Sequence, residues 1–154
     1  MRQVILKALV LTADADAVFA TLAAFERYPE FTHAVREVTV SPASDGALDS
    51  DWAVTFRNGV LRWSERDIVN AADRTITFAQ TDGDFDRFDG AWKVEQSGPD
   101  VVIEFDAAFD LGMPSLAPII DPIAERTLIE NLQHILTGLT GAATTFLVPA
   151  EVGG

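Results

Sequence analysis

The period of apolar residues along this chain switches between two and three to four, and each switch marks an element. Val4-Ile-Leu followed by Ala8-Leu-Val-Leu predicts a first strand from Gln3 to Thr12. Thr12-Ala-Asp-Ala-Asp is a helix-start signal, with Thr12 or Asp14 as cap, and Val18, Phe19, Leu22 and Phe25 then fall at helical spacing. Arg27-Tyr-Pro-Glu interrupts this pattern, because Pro29 lacks a backbone donor and restricts Tyr28. A short second helix or turn is predicted around Glu30 to Ala34.

Period-two segments follow. Val35 to Ser41 ends at the turn cluster Pro42-Ala-Ser-Asp-Gly46, and Asp51 to Arg57 places Trp52, Val54 and Phe56 on one face. Asn58-Gly59 is a strong hairpin signal that returns the chain as Val60 to Val69. Arg74 to Gln80, Arg87 to Gln96 and Val101 to Asp110 are three further strands, the last alternating almost without fault. Beyond Gly112-Met-Pro-Ser, a helix from about Leu116 to Leu139 presents Leu128, Leu132, Ile135, Leu136 and Leu139 as one stripe, with Pro118 and Pro122 placed to bend or delay its start. The order is strand, one or two short helices, six strands, long helix. It predicts an α+β architecture, a curved antiparallel sheet of seven strands wrapped around the C-terminal helix with a cavity between them. One domain over residues 1–145 holds the pattern, and residues 146–154 are expected to be a flexible tail.

Composition changes this picture in two respects. At 154 residues one domain buries roughly 70% of its unfolded surface, and a mean hydropathy of +0.15 leaves apolar surface over for a ligand. A net charge of −13, from 24 acids against 11 bases, argues against nucleic acid and anionic membranes as partners. Without cysteine, disulfides, thiol nucleophiles and thiolate metal sites are excluded. No secretory signal and no run of about 18 apolar residues is present, so no membrane insertion and a cytoplasmic location are expected. Asp82-Gly-Asp84-Phe-Asp86 invites a calcium loop, but Arg87 and Lys93 stand where that loop needs glycine and glutamate. No metal or cofactor is therefore expected.

Several stretches carry a family resemblance: Phe25-Glu-Arg-Tyr-Pro-Glu-Phe31, Trp63 in the fourth strand, Gly83-Asp-Phe85 leading to Gly90-Ala-Trp92, and Phe105-Asp-Ala-Ala-Phe109. With the element order, they resemble the helix-grip fold of the START-like (SRPBCC) superfamily, near its polyketide cyclase/dehydrase and coenzyme Q-binding branches. The resemblance spans Val4 to Leu139. It implies an apolar or amphipathic ligand between the sheet and the last helix. The similar aromatase/cyclase branch uses a tyrosine after the Pro-Glu turn and an arginine beyond the fourth-strand tryptophan. Here Val35 stands near the first position and Asp67 at the second, with Arg66 beside it.

The fourth strand carries the candidate chemistry. Trp63, Glu65 and Asp67 share one face and Arg62, Ser64 and Arg66 the other. If Trp63 points inward, two carboxylates enter the cavity as acid or base; in the other register the arginines enter and polarise a carbonyl. Either set also suits cross-strand ion pairs on an outer face. Among Trp52, Phe56, Trp63, Phe78, Phe88, Trp92, Phe105 and Phe109, most belong to the core and some line a pocket, together with Leu132 on the helix. Gln80 shares a face with Phe78, so it enters the cavity in search of a partner or lies at its rim. His33 and Arg36 suit the cavity mouth, while His134 lies on the helix and Tyr28 suits packing beside Pro29.

The expected activity is cyclisation or dehydration of a bound hydrophobic, polyketide-like molecule. The alternative is a carrier or chaperone for a lipid, quinone or biosynthetic intermediate. An acyl carrier protein is a second candidate partner, for which Arg57, Arg62 and Arg66 form the candidate docking patch.

Overall fold

The elements in a computed structural model follow the predicted order with one addition. The described residues are 2–43, 46–56, 59–112, 117–141 and 144–147, the side chains of 117, 118, 121 and 147 excepted. They form β1 (Arg2–Val10), α1 (Ala15–Ala23), a 3₁₀ turn (Phe25–Arg27), α2 (Tyr28–Phe31), β2 (Val35–Pro42), β3 (Leu48–Phe56) and β4 (Gly59–Asn70). These are followed by β5 (Thr75–Gly83), β6 (Arg87–Ser97), β7 (Asp100–Asp110), α3 (Ala117–Thr140) and β8 (Thr144–Leu147). One sheet joins all the described strands in the order β2-β3-β4-β5-β6-β7-β1-β8, antiparallel throughout. No described helix is long and apolar enough to cross a membrane.

Local chemistry explains the boundaries. Asp14 caps α1, its carboxylate accepting from the Ala17 N–H at 3.0 Å. Pro29 does not stop the second helix, because it sits in the first turn, where its missing donor costs nothing; α2 therefore begins at Tyr28, ahead of the predicted Glu30. β3 begins at Leu48, three residues before the predicted Asp51, and this brings Ser50 onto the sheet. Arg57, Asn58 of the predicted hairpin turn, residues 113–116 and the tail beyond 147 lie outside the described residues.

The sheet has eight described strands where seven are predicted. Thr144 to Leu147 pair with Val10 to Lys7, so Phe146, expected to open a flexible tail, instead opposes Ala8 on β1. Four residues are too few for periodicity to announce a strand, and an edge position beside β1 supplies the missing backbone partners.

Alternation fixes the inner face. On β7, Val101, Ile103, Phe105, Ala107 and Phe109 are buried, and the intervening residues are partly exposed. α3 lies against this face, burying Ala124, Leu128, Leu132, Ile135 and Leu136. The carbonyl of Phe31 comes so close to Gly138 that no Cβ would fit there, which draws the C-terminal end of α2 onto α3. Arg2 Nε donates to Glu125 Oε1 at 2.7 Å and ties the other end of the helix to β1.

Candidate functional site

The face on which Trp63 lies decides the register question, and it is the inner one. Trp63 opposes Trp52 across the β3–β4 pair, with the two indoles stacked at 6.0 Å and 2°. Strand alternation carries Glu65 and Asp67 to the same side, where they are 6% and 0% exposed. Arg62 is exposed and Arg66 only half-buried, on the opposite face. Two carboxyls and no arginine of this strand therefore point inward.

A cavity of about 80 Å³ lies between this face and α3. Trp63, Phe78, Phe88, Trp92, Phe105 and Leu132 line it as candidates from the sequence, joined by Val4, Phe25, Tyr28, Trp52, Val54, Glu65, Ile76, Leu128, Asn131 and Ile135. The lining is almost wholly apolar, as small-molecule sites are, with few polar groups to fix orientation. The aromatics largely fill their own space: Trp92 meets Phe105 at 4.6 Å, Trp63 meets Phe88 at 5.4 Å and Tyr28 meets Trp52 at 5.4 Å.

Other sequence candidates lie elsewhere. Phe56 opposes Gly59 at the end of the β3–β4 pair, half-buried and outside the cavity lining. Gln80 does not reach the cavity, because its amide donates to the Phe85 carbonyl at 2.9 Å and accepts from the Phe85 N–H at 3.3 Å. It holds the Asp82–Asp86 turn and so presses Phe85 onto Phe88, with ring centroids 4.5 Å apart. His33 is exposed and lines a separate outer groove together with His134. Arg36 is exposed, its Nε donating to Thr55 Oγ1 at 3.0 Å. Val35, near the aromatase/cyclase tyrosine position, is buried core.

The polar centre is a chain of hydrogen bonds. Trp63 Nε1 donates to Glu65 Oε1 at 2.7 Å. Trp52 Nε1 donates to Ser50 Oγ at 2.8 Å, and Ser50 Oγ donates to Asp67 Oδ2 at 2.5 Å. Asp67 Oδ1 is buried and accepts from no N–H or hydroxyl among the described residues. An unsatisfied carboxylate oxygen in this setting is expensive, and two adjacent buried carboxylates are more so. Burial pushes the Glu65 carboxyl well above its ordinary range, and hydrogen bonding to Asp67 together with that group's charge pushes it further. Burial also raises Asp67, against the opposing effect of donors from Glu65 and Ser50. The consistent arrangement is one shared proton, held by Glu65 and donated to Asp67, with the pair titrating as a unit. Glu65 lines the cavity; Asp67 stands behind it.

Tyr28, Ser50 and Asn131 complete the polar inventory, and none was singled out from the sequence as a site residue. Tyr28 donates from its hydroxyl to the Leu22 carbonyl at 2.5 Å. Burial, then the charges of Glu65 and Asp67, hold it above the usual phenol range, so it stays protonated. Asn131 had a legible signal, since it falls within the apolar stripe of Leu128, Leu132 and Ile135.

The fold and this lining define a helix-grip protein of the START-like superfamily. More specifically, residues 11–136 match the family model for polyketide cyclase / dehydrase and lipid transport, and the chain belongs to that family. No curated protein matches it significantly. Among solved structures, protein TTHA0849 of Thermus thermophilus is similar at a TM-score of 0.82 and 19% identity, over 90% of this chain and 94% of that one. The Zhui aromatase/cyclase of Streptomyces sp. R1128 superposes at 0.73 with 19% identity, over 92% and 93%. A START superfamily protein of Mycobacterium smegmatis does so at 0.76 with 19% identity, over 90% and 96%. At such identities these likenesses establish the fold.

Proposed function

We propose that the protein binds a hydrophobic, polyketide-like molecule between the sheet and α3 and promotes its cyclisation or dehydration, with Glu65 as the acid–base group. The observation that carries this reading is a carboxyl facing an apolar cavity and paired with a second, fully buried carboxyl behind it. A pair holding one proton, with both carboxyls raised above the ordinary carboxylate range, can accept and return a proton at a pH where a solvated carboxylate is already fully ionised. In the proposed cycle the Glu65 proton passes to Asp67 behind it as Glu65 takes a proton from a methylene between two carbonyls of the bound chain, and both transfers reverse when the proton is returned. The resulting enolate carbon bonds to a second carbonyl carbon, and that carbonyl's oxygen takes the proton back. Cyclisation is thus an isomerisation; loss of water then breaks one C–H and one C–O bond and leaves a C=C bond. Asp67 and Ser50 act as positioning residues, since neither lines the cavity and they act through Glu65 and Trp52. The cavity walls contribute by holding a flexible chain in one fold.

A poly-β-ketone thioester is a suitable probe. Glu65→Gln should reduce the rate of cyclised product by about 10²- to 10⁴-fold while binding persists. Arg62→Ala, altered on the outer face, should leave the rate unchanged. Unaltered turnover in the Glu65→Gln protein would sink the catalytic reading. The second reading, a carrier for a lipid, quinone or biosynthetic intermediate, is favoured by Val35 and Asp67 standing where the aromatase/cyclase branch has tyrosine and arginine. It predicts binding without product in the unaltered protein.

A further inference from the structure

The inner cavity measures about 80 Å³, whereas small-molecule sites span roughly 300–1,000 Å³. A ligand that enters it must extend outside or displace the walls. The Asn131 side chain marks a way out, because it lines both the inner cavity and an outer groove of about 610 Å³. Its Nδ2 donates to the Thr55 carbonyl at 2.6 Å, bridging α3 to β3 where the two spaces meet.

The outer groove differs chemically from the cavity. Among the described residues His33, Thr55, His134 and Thr137 line it and no carboxylate does, in a chain with 24 acidic residues. The two imidazoles and the Thr137 hydroxyl can each donate a hydrogen bond into it, while the Thr55 hydroxyl donates to the His33 carbonyl at 3.5 Å. The Arg36 guanidinium is anchored on Thr55 at 3.0 Å, adding a fixed positive charge beside the groove. Of the nearby acids, Glu30 on α2 is engaged by Arg27 at 3.6 Å, and Glu130 on α3 is exposed.

We propose that this groove takes the carboxylate end of an amphipathic ligand whose apolar body passes Asn131 into the inner cavity. The inference rests on the cavity reading above and adds the ligand's polar end and orientation. Donors with no described lining carboxylate to compete for them favour an anionic, acceptor-rich group, and charge-assisted bonds are the stronger kind. The chain's net negative charge opposes an anion only at long range, which salt screens beyond about 8 Å.

Binding of dodecanoate, of its methyl ester and of the uncharged dye phenylnaphthylamine, followed by quenching of tryptophan fluorescence, tests the proposal. Dodecanoate should bind about tenfold or more tightly than its ester. The exposed pair His33→Gln and His134→Gln, combined, should bring that preference to within about twofold and leave dye affinity unchanged. Equal affinity for acid and ester, or a variant that weakens dye and acid alike, overturns the groove while the cavity reading stands. Failure of the dye itself to bind overturns both.

Discussion

Glu65 faces two opposing demands, and its surroundings meet both. A carboxyl at 6% exposure loses most of its hydration, yet Trp63 donates to it and Asp67 accepts from its protonated form. The native state therefore binds a proton that the unfolded chain has already released above the ordinary value of 4.5. Stability contributed by this group falls as pH rises from that value towards its folded value. Glu65→Gln removes the titration, so the stability of the variant relative to the unaltered protein should climb with pH from about 4.5 upward and be flat below. Urea melts of both proteins across that range measure the difference. A difference independent of pH would show that Glu65 carries no extra proton in the folded protein.

The strands owe their function to two irregularities that alternation does not reveal. Between β4 and β5 the register shifts at Ser64/Glu65, and Gly83 comes to oppose Trp63. Gly83 has a φ of +150°, and a Cβ there would lie 2.5 Å from the Trp63 Cα. Only glycine lets the two backbones approach so closely while the Trp63 indole stays over the cavity. Gly83→Ala should therefore cost about 1–3 kcal/mol of stability, by chemical denaturation, and disturb the tryptophan emission. Ordinary stability with an unchanged spectrum would mean that the bulge has no part in placing Trp63. The acidic Asp82–Asp86 segment is an element of the same kind. Its Gln80 clamp on Phe85 closes the wall beside Trp63 and supplies no chemistry of its own.

Sheet and α3 together make a cavity that neither contains alone. A ligand that binds only the native state stabilises it by an amount set by mass action, about 2.7 kcal/mol at a hundredfold excess over Kd. Phenylnaphthylamine should raise the melting temperature accordingly. Leu132→Trp, which overfills the lining at a cost of about 1–3 kcal/mol, should abolish that rise while the protein still folds. A shift that persists undiminished would place the ligand elsewhere.

The sequence by itself determined the order of elements up to the long helix and the shared face of Trp63, Glu65 and Asp67, because periodicity and turn residues are local properties, and its resemblance to a known superfamily named the helix-grip fold. It left open which face of β4 was inner, since both faces carry charge and burial is settled only when neighbouring strands and a helix pack. Ser50 lay in the unassigned stretch between the Pro42–Gly46 turn cluster and the strand predicted from Asp51, and the β8 pairing required β1, which is distant in sequence. Phe56, Gln80 and His33 shared faces or neighbourhoods with lining residues, but the end of a hairpin, a turn clamp and an exposed loop took them out of the cavity. Tertiary structure alone decided that two carboxyls meet in an apolar interior and that Asn131 stands between two compartments. Desolvation and contact across distant segments are properties of the packed molecule, and no spacing along the chain encodes them directly.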